Sequence, residues 1–437
     1  MIDILKKIPP FGTPSEPAYD CGNGSYMLLA RDKTKEDMDS FVKTAGKSGF
    51  EVFDETSFGK NFYTTLIKDG LFLHVYFCDC EGTLRVVADE KNEKYLTSVP
   101  SVERKCQTSL WQFEVDHSLI DCGMCYIIRC CDGSFFIIDS AHVYSIHDND
   151  RIYKFLRERT PKGEKIKIAG WFFSHGHVDH IGKFCDFLKY NCDDVEIDAL
   201  YYNFVPLTHP DNIYWEVSDK IFQANFDKLV AQYPNIKKVK LHSGQHFFVK
   251  NLEFRVLCTH EDVYPQNLQN FNDSSTMLMM YADSATVSFP GDAGHIESDI
   301  VTSRFGSLLK CDIMQAAHHG HFGTTALFYE LSDADVIMFP TTQIKFDEEY
   351  EAREINREAV AISDECYIAS NGTVQLDLPY EKGTAKHFDD ETFEDFDGIF
   401  DKLEKICQSP DGPAGYLATV SEDHQLIKML INSENFE

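Results

Sequence analysis

The chain has 437 residues, more than one ordinary domain needs and enough for a large domain plus a smaller one. Hydrophobic residues make up 43% and aromatic residues 13%, which excludes a globally disordered chain. The 71 acidic against 41 basic side chains leave a formal charge of −30, a field that repels phosphate backbones and anionic lipid surfaces and argues against duplex nucleic acid or a membrane as partner.

The start, Met1 to Phe11, has no basic stretch followed by an apolar one, and no apolar run approaches the roughly 20 residues of a membrane span. The 14 cysteines are irregularly spaced, as expected of free thiols in a reducing, cytoplasmic compartment. Cys122-x-x-Cys125 and Cys130-Cys131 fall in a predicted hairpin without a second suitably spaced pair, so they read as buried thiols.

In chain order, residues 1–98 predict a small α+β domain. Tyr26 to Ala30 reads as a strand, and Thr34 caps a helix with Met38, Phe41, Val42 and Ala45 on its apolar face, stopped near Gly46 and Gly49. Asp69-Gly70 joins two strand runs, Phe62 to Ile67 and Leu71 to Phe77, and Thr83 to Ala88 follows. This segment holds no evident cluster of His, Asp or Glu and is expected to supply no metal ligand. A polar stretch from Asp89 to Ser101 marks the boundary. Residues 105–380 predict the main domain. Cys125 to Cys130 and Phe135 to Ile138 are neighbouring strands, a helix lies near Ile152, Phe155 and Leu156, and Ile166 to Phe173 is a buried strand. Trp171 reads as a packing residue, and Tyr201, Tyr202 and Asn203, which end a predicted strand, read as cleft-lining residues, with core packing an equal alternative for the two tyrosines. Lys237-Lys238-Val239-Lys240, the densest basic run, is expected to face solvent. Residues 381–437 predict an acidic amphipathic helical extension packed on the main domain, with Phe393, Phe396, Phe400, Leu403 and Cys407 at helical spacing.

The chemistry concentrates where the buried strand ends, in Ser174-His175-Gly176-His177-Val178-Asp179-His180-Ile181-Gly182. Ligands at i and i+2 converge on one metal from an extended loop, and those at i+4 and i+5 turn toward a second. Imidazole and carboxylate suit zinc, and equally iron or manganese.

This segment resembles the HxHxDH motif of the metallo-β-lactamase superfamily, and the resemblance covers about residues 111 to 380. It implies an α/β (α+β) fold, an αββα sandwich, with two divalent transition-metal ions at one edge: zinc, with manganese or iron as alternatives. It also implies roles for three further segments. Asp139, in Phe136-Ile137-Ile138-Asp139-Ser140, looks like the aspartate that supports the metal loop. Asp292, in Phe289-Pro290-Gly291-Asp292-Ala293, looks like the carboxylate bridging both metals. His318-His319-Gly320 looks like the source of the last ligand on the second metal, with the choice between His318 and His319 open. His175, His177, Asp179, His180 and Asp292 complete the implied metal set, with Asp179 and Asp292 the catalytic carboxylates.

The chain departs from the common pattern in lacking a TPGH-like segment. Asn272-Asp273-Ser274-Ser275-Thr276 stands there instead. That form is similar to a branch that includes the hydrolase-like domains of DNA-uptake competence proteins and phosphorylcholine esterases. The first metal would then rely on His175, His177 and Asp292. Asn272, Ser274 and His321 are substrate-side candidates. Lys183 and His321, which replace a common glycine and serine, read first as solvent-facing, and His260 and His295 as surface or supporting residues.

The implied activity is metal-dependent hydrolysis by a metal-bridging hydroxide, on a small or medium phosphodiester. Lactone or thioester hydrolysis and a non-catalytic metal-binding interaction protein are the alternatives. The expected partner is a small-molecule substrate, and a homo-oligomer is left open. A flavodiiron-type redox enzyme would need a carboxylate in the motif and an appended flavodoxin-like domain, and neither is seen.

Overall fold

The computed structural model describes residues 3–388, except positions 13, 16, 118, 119, 146, 207–216, 269 and 322. These residues form one compact unit. The expected helical extension lies outside the described residues from 389 onward. Where that extension was expected to begin, the chain instead makes a turn and an edge strand, Lys386–Phe388, paired antiparallel with Thr373–Asp377. Among the described residues no helix is long and apolar enough to cross a membrane.

Two sheets pack face to face. The first runs Lys237–Lys240, Ala199–Tyr202, Ile166–Phe172, Phe135–Ile138, Tyr126–Arg129, Ser109–Gln112, Thr373–Asp377 and Lys386–Phe388, with Val195–Ile197 beside Ile166–Phe172. Its first four strands are parallel and the rest antiparallel. Ile166–Phe172 is covered on both faces, which is why it reads as a nearly unbroken apolar run. The second sheet runs His246–Val249, Leu252–Cys258, Met277–Ala282, Ala285–Phe289, Ile313–Gln315, Val336–Phe339 and Glu365–Ile368. Between them lies a buried core that includes Tyr126, Phe136, Phe172, Phe247, Phe254, Leu278 and Ile313.

Helices cover the outer faces. Phe184 and Phe187 of helix Val178–Tyr190 set their edges against Trp171, and Phe226 of helix Val217–Val230 packs on Phe173. On the other side Phe305, Phe328 and Ala359, from three helices, pack with Met279 and Met314. The result is the αββα order that the resemblance implies. Lys183 is 4% exposed and paired with Asp186 at 2.9 Å. Its helix face turns inward, which corrects the solvent-facing expectation.

The N-terminal segment builds its own antiparallel sheet, in the order Tyr19–Asp20, Ser25–Ala30, Thr83–Asp89, Leu71–Cys78, Asn61–Lys68 and Glu51–Phe58. Thr34 caps helix Lys35–Lys47 by accepting from the Asp37 backbone N–H, in a reciprocal capping box. Met38, Phe41 and Ala45 of that helix pack on Leu66, Leu73, Val75 and Val86. Glu51–Phe58 escapes sequence reading because it is a polar edge strand without alternation.

The opposite face of this sheet meets the sandwich through an apolar cluster, Met27, Tyr63, Tyr76 and Val87 with Tyr264, and through buried polar groups. Arg304 donates to Glu81 at 2.6 Å and to Asp262 at 2.7 Å, and Tyr76 also donates to Asp262. Lys240 Nζ donates to the Cys21 and Gly22 carbonyls and to Ser25 Oγ. Part of the basic run is therefore an interface bond rather than a solvated face, since Lys240 is buried against carbonyls of the N-terminal segment. Gly244 adopts φ +76°, and a Cβ there would lie 1.8 Å from the Tyr63 ring, so only glycine permits this approach.

Candidate metal centre

The parallel strand Ile166–Phe172 delivers Ser174 and His175 to one sheet edge, and helix Val178–Tyr190 begins at once, with His177 as its N-cap residue and Asp179 and His180 in its first turn. Gly291, at φ +61°, brings the next loop so close that a Cβ would stand 2.8 Å from Ser174 Cβ, and Asp292 follows directly. His318 and His319 both take left-handed backbone, φ 48° and 56°, which is strained for residues with a Cβ and turns the two rings to different places.

These residues form two groups with one shared member. Asp179, His180, Asp292 and His319 have ligand atoms all within 4.8 Å of one another, and so do His175, His177 and Asp292. Asp292 thus stands where the resemblance places its bridge. His319 Nε2 lies 3.1 Å from Asp179 and 3.4 Å from Asp292. His318 is outside both groups, with Nε2 4.0 Å from Asp292 and 3.1 Å from Asn272 Nδ2. The geometry therefore selects His319 as donor and leaves His318 facing the cleft.

The donors fit metal ions. His180 Nε2 is 3.2 Å from an Asp292 oxygen yet makes no hydrogen bond, and Asp292 Oδ1 is buried without a hydrogen-bond partner. His175 Nε2 and His177 Nδ1 meet at hydrogen-bond distance, 2.8 Å, and both rings offer a ligand atom within 4.8 Å of Asp292. Burial holds His175 and His177 neutral, His177 at about 4. Burial resists ionisation of Asp179 and Asp292, but His180 and His319 outweigh it and hold both well below the usual carboxylate range. The same pairing, against burial, lifts His319 to about 10 and raises His180. The centre thus offers ionised carboxylates and imidazoles, with protons where divalent ions would bind.

Asp139 is the support beneath. It accepts the Ser174 backbone N–H and hydroxyl, both at 2.8 Å, and contacts His180 Nδ1 at 2.7 Å. Such outer partners fix ring orientation, and their loss typically weakens metal binding by about 10- to 100-fold. Asp139→Ala is expected to show a loss of that size in competitive chelator titrations. An unchanged affinity would remove Asp139 from this role.

A cleft of about 580 Å³ opens over the centre. Besides the donors it is lined by Asp121, Cys122, His142, Asp219, Asn272, His295, His318 and His321, with no lysine or arginine among the described lining residues. His321 meets Thr341 Oγ1 at 3.2 Å, and burial lowers it to about 3. Ser274 is not on the cleft. Its hydroxyl is buried and donates to the Phe271 carbonyl at 2.6 Å, closing a tight turn, which corrects its assignment as substrate-side. Asp219, 3.8 Å from His177 Nε2, went unread because it arrives from a helix some 40 positions away with no local pattern around it. Cys122 likewise lines the cleft, and burial raises its thiol. His295 is exposed at the rim. His260, expected at the surface or in support, is fully buried beside Glu261 and Cys21, where the N-terminal sheet covers it.

A scan against protein-family models finds no match, and neither does a search of curated protein sequences. Among solved structures, similarity extends to the metallo-β-lactamase fold protein YhfI from Bacillus subtilis, at 12% identity and TM-score 0.38, covering 60% of this chain and 96% of that one. It extends also to CmlA, a diiron β-hydroxylase from Streptomyces venezuelae, at 12% identity and TM-score 0.37, covering 64% of this chain and 55% of that one. Human tRNase Z, short form, matches at 12% identity and TM-score 0.31, covering 59% of this chain and 95% of that one.

Proposed function

We propose that this protein is a metal-dependent hydrolase acting on a small or medium phosphodiester. The observation that carries the reading is the pair of donor groups sharing Asp292 at the floor of a cleft of about 580 Å³. His175, His177 and Asp292 would hold one divalent ion, and Asp179, His180, Asp292 and His319 the other. When bound, such ions lower the pKa of a coordinated water and offset charge that develops on an attacked ester. The remaining work belongs to the chain. Asp139 and Ser174 hold the imidazoles in place. His318 faces the cleft and its Nε2 accepts from Asn272 Nδ2 at 3.1 Å, which fixes that ring beside the space a substrate would enter.

The cleft volume and the acidic balance of the chain support a small substrate over long duplex DNA. One feature favours a second reading. Without a lysine or arginine on the described cleft wall, a neutral lactone or thioester would meet no missing phosphate clamp. The test compares turnover of bis-p-nitrophenyl phosphate with cleavage of linear DNA and with a lactone and thioester panel, with zinc and with manganese. Metal-dependent phosphodiester turnover above the rest is expected. DNA degradation with weak small-ester activity would overturn the size assignment, and dominant lactone or thioester turnover the ester class.

A further inference from the structure

Away from the cleft, three buried residues of two different sheets converge. His74 comes from strand Leu71–Cys78, Asp89 ends strand Thr83–Asp89, and His242 follows strand Lys237–Lys240 of the sandwich. We propose that His74, Asp89 and His242 form a structural site for a divalent transition metal, zinc by its ligand types, that ties the N-terminal sheet to the sandwich.

Their ligand atoms all lie within 4.8 Å of one another. Exposure is 3% or less for each. His242 Nε2 and Asp89 Oδ2 stand 3.2 Å apart. That matches the edge of a tetrahedron whose bonds are about 2.0–2.1 Å, roughly 3.3 Å. The other nitrogen of His242 is held by Glu261, at 2.8 and 3.0 Å. A carboxylate behind a ligating imidazole is the arrangement that fixes its tautomer and aims its free nitrogen at a metal. His74 Nε2 is buried without a hydrogen-bond partner, and its ring lies 4.0 Å from that of His242. Thr65 Oγ1, 3.0 Å from His74 Nδ1, can accept that N–H and leave Nε2 to the metal. Gln245 Nε2, 3.1 Å from the same nitrogen, then releases it.

The competing occupant is a proton. Both ring nitrogens of His242 face carboxylates, so the metal-free ring must donate from both. Burial opposes its charge, but Glu261 and Asp89 outweigh burial and raise its pKa above the ordinary value. Metal binding would release the Nε2 proton to solvent.

Crystals of the wild-type protein, stripped and reloaded with stoichiometric zinc, decide between them. An anomalous difference peak bonded to His242 Nε2 and Asp89 is expected. Peaks in the cleft alone, or none, would overturn the proposal, and because the cleft is observed in the same map its failure is distinct from failure of the hydrolase reading. In solution, a protein with the cleft emptied by His180→Ala and Asp292→Ala is expected to keep one equivalent of zinc and to lose it on adding His242→Ala. No retained zinc in the first protein, with an unchanged far-ultraviolet dichroism spectrum, or full retention in the second, counts against the site.

Discussion

Asp292→Ala is expected to remove metal from both donor groups together, while His177→Ala should empty one. Asp292 is the member common to both groups, and it is 1% exposed with one oxygen lacking any hydrogen-bond partner. Without it His180 and His319 also lose the charge that lifts their pKa values. Loss of two Lewis acids should cost about 4 kcal/mol or more of transition-state stabilisation, roughly a 10³-fold fall in kcat/KM. Elemental analysis beside kinetics on the chromogenic phosphodiester checks both parts. Two ions retained, or activity within tenfold of wild type, would show that Asp292 is not the shared ligand.

The second large effect concerns stability. Arg304→Met is expected to destabilise the protein by roughly 3–5 kcal/mol, the range seen when one partner of a buried ion pair is deleted. The Arg304 side chain is fully buried, and its guanidinium joins Glu81 of the N-terminal sheet to Asp262 of the sandwich. Methionine matches the volume but leaves Asp262 with Tyr76 and the Thr259 backbone N–H, and Glu81 with Arg85 and the Thr83 hydroxyl. Arg304→Lys should recover only part of the loss, because a single ammonium cannot serve both carboxylates in a fixed fork. Burial raises the Glu81 pKa, but Arg304 and Arg85 more than offset it and hold it well below the ordinary 4.5. A depressed carboxylate stabilises the fold above its unfolded pKa and loses that contribution as pH falls toward its folded value. The gap between wild type and Arg304→Met in urea unfolding should therefore be full at neutral pH and narrow below 4.5. A gap under 1 kcal/mol at pH 7, or one that widens in acid, would refute the bridge.

The parts of this fold that could be read in advance were local. The hairpin around Asp69-Gly70, the Thr34 cap and the buried strand before His175 each carry their signal within a few residues. The candidate donors were legible as a cluster, because His175, His177, Asp179 and His180 are held by one strand-to-helix turn. Choosing His319 over His318 required the left-handed backbone at both positions, which no residue type announces. Asp219, the buried end of Lys183 and the inward turn of Lys240 depend on pairings between distant segments. His74 and Asp89 looked unclustered for the same reason, since their partner His242 lies 153 positions beyond Asp89.

The charged face between the N-terminal sheet and the sandwich also bears on the order in which the chain can be assembled. Arg304 follows Glu81 by 223 positions. At a synthesis rate of roughly 5–20 residues per second, the arginine emerges about 11–45 s after its partner. The strands of the N-terminal sheet, residues 19–89, are all made before that arginine, and hairpins close on a microsecond scale, so the face that meets the sandwich has no partner during this interval. An apolar face left open that long would invite association with other nascent chains. Until Lys240, Tyr264 and Arg304 are made, Met27, Tyr63, Tyr76 and Val87 of this face lack their cover, and Glu81, Arg85 and Asp89 are the charged groups among them, so the joint is an exposed mixed surface before it is an interface.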